Sequence, residues 1–459
     1  MINYKSILRP LYRSIPMSLR LSKQYKSVHD FYNEAQWWSL DRISQWQLMK
    51  LQSIVKYAYD NVPGYRQIYK EAGVHPQDIR SLEDISILPF TTKSLLRDNL
   101  KDFTSSAIPR KRMFYSTTGG STGIPFGFYS TRDNESIENA FMHNAWEQTG
   151  WKIDDRGVIL RGAYVGSEDS LFSKIERNRY ALSIYYLTDE TYSSYIDFIV
   201  RVKPSFLHAY PSSAADFAKK VIYFGDQDRI SFNSIFIGSE NVYKWQKDII
   251  KEAFPKAKLM SWYGHSEKAV WAPWCEKNEK YHICPFYGKT ELIGNEQKEI
   301  QESHTGELVG TSFWMKATPF IRYRTNDYAV KGGLGCPVCG RNFRLLDSVE
   351  GRLQEMIVSD NGRYISMTSI NMHDRTFDLV SQFRFVQREM GKLELLIIPQ
   401  EEYSSDTEKS IRHSLIRKLG SDFSLSIKVV NEIKRTRSGK HTFLEQHIDI
   451  KHDNWIKNI

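Results

Sequence analysis

Residues 115–129 read YSTTGGSTGIPFGFY: four glycines and five serine or threonine residues between aromatic ends, with Pro125 closing the small polar run. Glycines let a backbone take left-handed angles and come close to a ligand. The N–H groups of such a loop, with its hydroxyls, form a neutral set of donors suited to phosphate oxygens. The spacing excludes two common nucleotide loops. Neither Gly119 nor Gly120 has a Gly-Lys pair at the distance that Gly-x4-Gly-Lys-Ser/Thr requires, and the stretch holds no Gly-x-Gly-x-x-Gly. Taken alone, it fits a flexible turn as well as a phosphate cradle.

A chain of 459 residues exceeds what one hydrophobic core supports, so two or three domains are expected. With 41% hydrophobic and 25% charged residues the composition is that of an ordinary globular protein, and the 13% aromatic content supplies large side chains for cores and flat pockets. The net charge of +9 is a mild bias that nucleotide, coenzyme A, acidic glycan and membrane surface would all satisfy. Its placement says more. Lys5, Arg9, Arg13, Arg20, Lys23 and Lys26 precede the first acid, Asp30, and are interleaved with Ile7, Leu8, Leu11, Tyr12, Ile15, Leu19 and Leu21. Such a segment either lies on anionic lipid or packs along the body, and packing is the favoured reading. No run approaches the roughly 18 to 20 apolar residues that span a bilayer, and no signal-peptide core is present, so a cytoplasmic protein is expected. Cys275, Cys284, Cys336 and Cys339 cluster in one part of the chain, which in a reducing compartment argues for metal rather than disulfides.

Apolar positions recur at helical spacing from about Val28 to Gly73, with Pro63 and Gly64 as the expected stop, and Thr91 or Thr92 is placed to cap the next helix. Beyond the glycine loop, strand-sized runs such as GVILRG, SIFIG, AKLMSWYG, TELIG and GELVGTSF alternate with helical stretches such as VYKWQKDIIKEAF, which reads as α/β. From Arg352 to Ile459 strands surround one helix, the pattern of a separate α+β domain.

Five stretches in order carry a resemblance. Tyr115 to Pro125 resembles the phosphate loop of the adenylate-forming (ANL) superfamily, SWYGHSE its Tyr-Gly-x-x-Glu motif, and FIRYRTNDYA its Tyr-Arg-Thr-x-Asp motif; VEGRLQE resembles its interdomain hinge and KRTRSGK its C-terminal lysine motif. The N-terminal stretches LQSIVKYAYDNVPGYRQIYKEAG and SILPFTTKSLLRDN are similar to the branch that holds phenylacetate-CoA ligase, coenzyme F390 synthetase and the CapK-type proteins of capsular polysaccharide clusters. The resemblance implies a large α/β N-terminal domain of mixed sheets and helices, residues 1–352. Within it fall a helical lead-in over 1–110 and a zinc-knuckle insert at about 275–340. A smaller mobile α+β domain, 353–459, would carry the catalytic lysine.

It also implies a reaction: ATP activates a carboxylic acid as an acyl-adenylate, releasing pyrophosphate, and the acyl group passes to an acceptor. On that reading Thr117, Thr118, Gly119, Gly120, Ser121, Thr122 and Gly123 orient the ATP phosphates so that pyrophosphate leaves in line. Glu267 helps to bind Mg²⁺, a hard cation that prefers oxygen ligands. Tyr263 and Gly264 flank the adenine, and Gly238, Ser239 and Glu240 line the same pocket. Asp327 takes the ribose hydroxyls, Arg352 adds a ribose or phosphate contact, and Lys440 bridges substrate carboxylate and α-phosphate in the transition state. His208 and Tyr210 fall where this branch builds its acid pocket; for each, a satisfied core residue is the favoured reading. The partners implied are a small carboxylic acid and coenzyme A, or an amine or hydroxyl on a sugar or amino acid, and no nucleic acid.

WCEKNEKYHICPF and GLGCPVCGR together supply a Cys-x-x-Cys pair beside glycine with further Cys and His ligands. Cys275, His282, Cys336 and Cys339 are the expected ligands of a closed, structural zinc, with Cys284 as substitute; some members of the branch carry such a site. Three departures stand out. Asn326 replaces the usual glycine before the ribose-binding Asp, Ile124 stands where many relatives have a lysine, and Gln354 occupies the hinge where Asp or Lys is usual. The hinge change leaves three functions open: an acid:CoA ligase, an amide or ester ligase, and a non-catalytic zinc-stabilised scaffold. Glu267, Asp327 and Lys440 together argue against the last.

Overall fold

The computed structural model describes residues 12–117, 126–161, 171–184, 186–239, 242, 244–294, 297–351, 356–362, 364–366, 379–420, 422–433 and 444–448. The lead-in consists of α1 (Lys23–Ala35), α2 (Leu40–Asn61) and α3 (Pro63–Glu71). Ser22 and Ser39 cap the first two by accepting from the N–H of Tyr25 and Arg42, a contribution of about 1 kcal/mol each. The stop expected at Pro63–Gly64 is met, since α2 ends at Asn61, but the same position also starts a helix. Pro63 opens α3, where its missing N–H has no helical partner to lose, and a Cβ on Gly64 would stand 2.8 Å from the Phe103 ring. Thr92 caps α4 (Lys93–Asp98), while Thr91 forms a β-bridge with Tyr323.

β1 (Met113–Thr117) and β2 (Gly127–Thr131) form the hairpin that brackets the glycine loop, and α5 (Arg132–Glu147) follows through a capping box of Thr131 and Asn134. The chain continues through β3 (Gly157–Arg161), β4 (Phe172–Glu176), β5 (Arg179–Ser183), α6 (Asp189–Val202) and β6 (Phe206–Ala209). It then forms α7 (Pro211–Phe224), β7 (Ser234–Gly238), α8 (Lys244–Ala253), β8 (Lys258–Gly264) and β9 (Trp271–Pro273). These strands make one sheet in the order β4-β5-β3-β6-β7-β8-β9, with β3, β5, β6, β7 and β8 parallel and the two edge strands antiparallel. Every residue of β7 is buried, as a strand covered on both faces requires. From β3 the chain reaches β5 on one side and later β6 on the other. The carboxyl ends of β3 and β6 are therefore the switch point at which open α/β sheets take ligands.

A second, antiparallel sheet holds β10 (Tyr281–His282), β11 (Gly288–Ile293), β12 (Thr305–Ser312), β13 (Tyr323–Leu334) and β14 (Arg344–Gly351), in the order β10-β14-β13-β12-β11. Beyond it lie the hairpin β15 (Met356–Val358) and β16 (Tyr364–Ser366), and a four-stranded sheet β19-β18-β17-β20. That last sheet is built from β17 (Val380–Glu389), β18 (Lys392–Pro399), β19 (Ser424–Val429) and β20 (Leu444–Gln446). Its helix α9 (Ser405–Leu419) buries Ile411, Leu415 and Leu419. A large α/β part followed by a smaller α+β part is thus the architecture, and Val158, Leu207 and Ile235 share a buried apolar cluster with Phe385, Leu395 and Leu415. Among the described residues no helix is long and apolar enough to cross a membrane.

Candidate active site

Three expected stretches leave the carboxyl ends of adjacent parallel strands: His208–Tyr210 from β6, Gly238–Ser239 from β7, and Tyr263–Gly264 from β8. The geometry there depends on small residues. A Cβ on Gly238 would meet the Trp262 ring at 2.9 Å, and one on Gly264 would meet Trp271 at 3.1 Å, so both glycines serve tryptophan packing as well as any approach of a base. Ser239 turns the chain out of β7 at φ 70. His208 is half-buried and stands edge-on to Trp146, ring centroids 5.0 Å apart, with Trp262 at 5.8 Å. Tyr210 precedes Pro211, the first residue of α7.

Asp327 reaches the same place from the second sheet. The register of β12 against β13 shifts between Glu307 and Val309, and the extra residues of β13 bulge out. Glu307, 2% exposed, fixes the bulge: its carboxylate accepts from Arg324 Nε at 2.8 Å and from the Asn326 N–H at 2.9 Å. Asn326 has φ +60, the left-handed conformation in which Asn is the usual replacement for glycine, so the departure from the family pattern keeps the turn. Thr325 accepts from the Asp327 N–H, and the Tyr263 hydroxyl donates to Asp327 Oδ2 at 2.9 Å. That bond joins two motifs far apart in sequence.

Glu267 is 5% exposed. Tyr323 donates to Oε1 at 2.8 Å, His265 Nδ1 lies 3.1 Å from Oε2, and Lys93 Nζ stands 4.0 Å from Oε1. Burial alone would raise the pKa of this carboxyl. The hydrogen bond and charge of His265, the charge of Lys93 and the Tyr323 hydroxyl outweigh it and hold the group well below the usual carboxylate range. An ionised carboxylate whose oxygens each keep a second lone-pair direction fits a hard divalent cation. Because a carboxylate only accepts, His265 Nδ1 carries the hydrogen; its Nε2 is buried with no hydrogen-bond partner.

Sequence reasoning did not single out Lys93, His265, Tyr323, Lys268 or Arg322. Lys268, at φ 55, pairs with Glu135 at 3.5 Å and Glu138 at 3.8 Å, tying the Glu267 turn to the helix that follows the glycine-loop hairpin. Arg322 is buried against Glu291, with Nη2 to Oε1 at 3.0 Å. Its Nη1 donates to the carbonyls of Ser86 at 2.6 Å and Leu88 at 2.8 Å, and its guanidinium lies 4.0 Å from the Phe90 ring centroid. This clamp holds the segment that delivers Lys93. The one available signal was the Phe-Thr-Thr-Lys run beside a helix cap; its partner on β13 is a tertiary fact. Thr117 ends β1. Thr118, Gly119, Gly120, Ser121, Thr122, Gly123, Glu240, Arg352, Gln354 and Lys440 lie outside the described residues.

Cys275, His282, Cys336 and Cys339 converge, all buried, with their ligand atoms within 4.8 Å of one another and Cys339 Sγ 4.0 Å from His282 Nε2. Ligands around a tetrahedral zinc stand ~3.8 Å apart, so the set fits that ion. Gly335 and Gly340, at φ 82 and 85, turn the chain around the Cys-x-x-Cys pair. Burial raises the Cys336 thiol, but amide N–H groups of Cys339 and Val338 and the Asn278 side chain bring it below its ordinary value. Burial and Arg341 push His282 down to about 4, which leaves a neutral ring with a lone pair. Cys284 stands apart. It sits 1% exposed among Tyr32, Phe286 and Phe343, its thiol pushed up to about 12 by burial, and is a core residue rather than a substitute ligand.

Residues 357–447 match the sequence model of the CapK C-terminal domain. Phenylacetate-coenzyme A ligase of Pseudomonas putida is 27% identical over 330 residues, 70% of this chain and 73% of that protein. Protein CapK of Staphylococcus aureus is 22% identical over 418 residues, 88% of this chain and 89% of its own. The crystal structure of 2-hydroxyisobutyryl-CoA ligase in complex with 2-HIB-AMP and CoA superimposes with a TM-score of 0.62 at 20% identity, covering 90% of this chain and 92% of that one. The fold is therefore that of the AMP-forming, adenylate-forming ligases. Within that superfamily the chain is similar to the phenylacetate-CoA ligase and CapK-like branch.

Proposed function

We propose that this protein activates a carboxylic acid with ATP and transfers the resulting acyl group to a thiol, amine or hydroxyl. The observation that carries the reading is the meeting of Tyr263, Glu267 and Asp327 beside the carboxyl ends of the parallel strands, with Tyr263 bonded to Asp327 at 2.9 Å. On this reading adenine stacks on Tyr263 beside Gly238–Glu240. Asp327 accepts from the ribose, and Glu267 holds Mg²⁺ at the phosphates. The Thr117–Gly123 stretch supplies neutral donors to pyrophosphate, and Lys93 supplies the cation that Ile124 does not. Arg352, the last residue before the C-terminal domain, adds a ribose or phosphate contact, and Lys440 approaches from that domain, 353–459, which rotates about Gln354 between adenylation and transfer. His208 and Tyr210, at the switch point, contact the acid.

Cys275, His282, Cys336 and Cys339 hold a structural zinc. Four N/S ligands leave no open position, so the ion braces the β9–β10 turn against the β13–β14 turn and takes no part in the chemistry. Likeness to CapK-type proteins is what supports an acceptor linked to surface polysaccharide.

Pyrophosphate release across a panel of carboxylic acids, with and without coenzyme A, is the test. Release stimulated by the thiol marks an acid:CoA ligase; release that needs an added amine, amino acid or sugar marks the amide or ester ligase. No release with any acid would sink the proposal in favour of a scaffold.

A further inference from the structure

The basic, apolar N-terminal stretch takes no part in the site above, and the structure gives it two faces. Its polar side packs along the body. The N–H of Met17 donates to Asp154 Oδ1 at 2.7 Å, the Ser18 hydroxyl donates to the same carboxylate, and Arg20 pairs with Glu176. The N–H of Arg177, in the turn between β4 and β5, donates to the Arg13 carbonyl at 3.1 Å. Asp154 and Glu176, the acids beneath the segment, are thereby engaged from within.

What points outward is apolar and basic. Leu19 is 75% exposed, Tyr12 55% and Ile15 42%; Arg13, Lys23, Lys26 and Arg177 are exposed around them. Arg20, held by Glu176, lies 4.9 Å from the Tyr12 ring centroid and fixes that ring in place. Large apolar side chains held in water by an anchored segment mark a surface that something covers. The bases, in a stretch with no acid before Asp30, specify a polyanion with an apolar interior.

We propose that this face docks on an anionic lipid bilayer. Tyr12, Ile15 and Leu19 enter the boundary between headgroups and acyl chains, while Arg13, Lys23, Lys26 and Arg177 meet lipid phosphates. A single short turn gives a reversible contact, so the protein exchanges between membrane and solution. The inference is independent of the ligase reading.

The full-length chain is mixed with vesicles of phosphatidylglycerol in phosphatidylcholine, or of phosphatidylcholine alone, and floated on a density gradient at low and high salt. It floats with the anionic vesicles only, and salt weakens the binding. Lys23→Gln and Lys26→Gln each lower the partition about fivefold, and Leu19→Ser lowers it with an unchanged melting temperature, since none of these side chains is buried. Failure to float with anionic vesicles, or equal flotation with neutral ones, overturns the proposal. So does a result in which the charge variants lose binding and Leu19→Ser, Tyr12→Ser and Ile15→Ser do not. That outcome describes a purely electrostatic surface such as one for an acidic protein.

Discussion

Breaking the Arg322–Glu291 pair tests how the helical lead-in is coupled to the proposed nucleotide site. Both side chains are 5% exposed, and the guanidinium meets the carboxylate through Nε at 3.2 Å and Nη2 at 3.0 Å while Nη1 serves the carbonyls of Ser86 and Leu88. Arg322→Met leaves a buried carboxylate without its partner, a loss of about 3–5 kcal/mol. It also leaves two carbonyls without a donor, at about 1 kcal/mol or more each. Burial already raises the pKa of Glu291 despite the arginine beside it, so the stranded group escapes part of that cost by taking a proton. The expected total is therefore ~4–6 kcal/mol, a large share of the 5–15 kcal/mol that holds a typical domain together. Glu291→Met alone strands the cation and is expected to cost a similar amount. The double variant removes both charges and leaves only the carbonyls, so it costs ~2 kcal/mol and the cycle yields a coupling of several kcal/mol. Urea unfolding of the four proteins measures this directly. The same variants should raise the KM for ATP, because the clamp fixes the segment that sets Lys93 beside Glu267 at 4.0 Å. Single substitutions that cost under about 1 kcal/mol, or a double variant as unstable as the sum of the two singles, would refute the reasoning.

Other outcomes follow from the same structure. Burial, with the charges of Arg179 and His29 adding, pushes His143 down to about 3, so the folded protein keeps this ring neutral while the unfolded chain protonates near the ordinary value. Stability should therefore fall as pH drops from ~6.5 toward 3, by up to ~1.4 kcal/mol per pH unit, and His143→Gln should flatten that slope in urea melts at pH 7 and 5; an unchanged slope counts against it. Asn326→Gly should be neutral or stabilise by ~0.5 kcal/mol, because φ is +60, and Asn326→Val should destabilise by more than 1 kcal/mol, read by thermal melting. Metal analysis should find one zinc per chain, lost in Cys336→Ser and retained in Cys284→Ser, with chelation lowering the melting temperature of the wild type. Lys440→Ala should abolish pyrophosphate release while ATP binding, followed by calorimetry, stays within a few-fold; a fully active variant would remove Lys440 from the mechanism.

Much of the fold was legible because the signals are local. SIFIG is an unbroken apolar run and became a central strand, Thr92 had a helix to cap, and Cys336-Pro337-Val338-Cys339 beside glycine had the spacing of a metal knuckle. Pro63 was legible only as a break, since the same proline that cannot continue one helix is well suited to begin the next. Tyr263, Glu267 and Asp327 could be found because each sits in a short motif. Lys93, His265 and Arg322 could not, because their roles depend on partners from other elements.

By itself the sequence determined the order of helices and strands, the family resemblance and the residue types able to handle phosphate, ribose and metal. These are properties of neighbours along the chain, set by hydrophobic period, backbone freedom and side-chain chemistry. Only the tertiary structure decided which groups meet. Parallel pairing of β6, β7 and β8 brings three loops to one edge, and a bulge against Glu307 aims Asp327 at Tyr263. A buried clamp carries Lys93 to Glu267, and Cys284 is drawn into the aromatic core while His282 joins Cys275, Cys336 and Cys339. Hydrogen bonds and charge pairs act over a few ångströms of space, whatever their separation in sequence, and for that reason the site had to be seen folded.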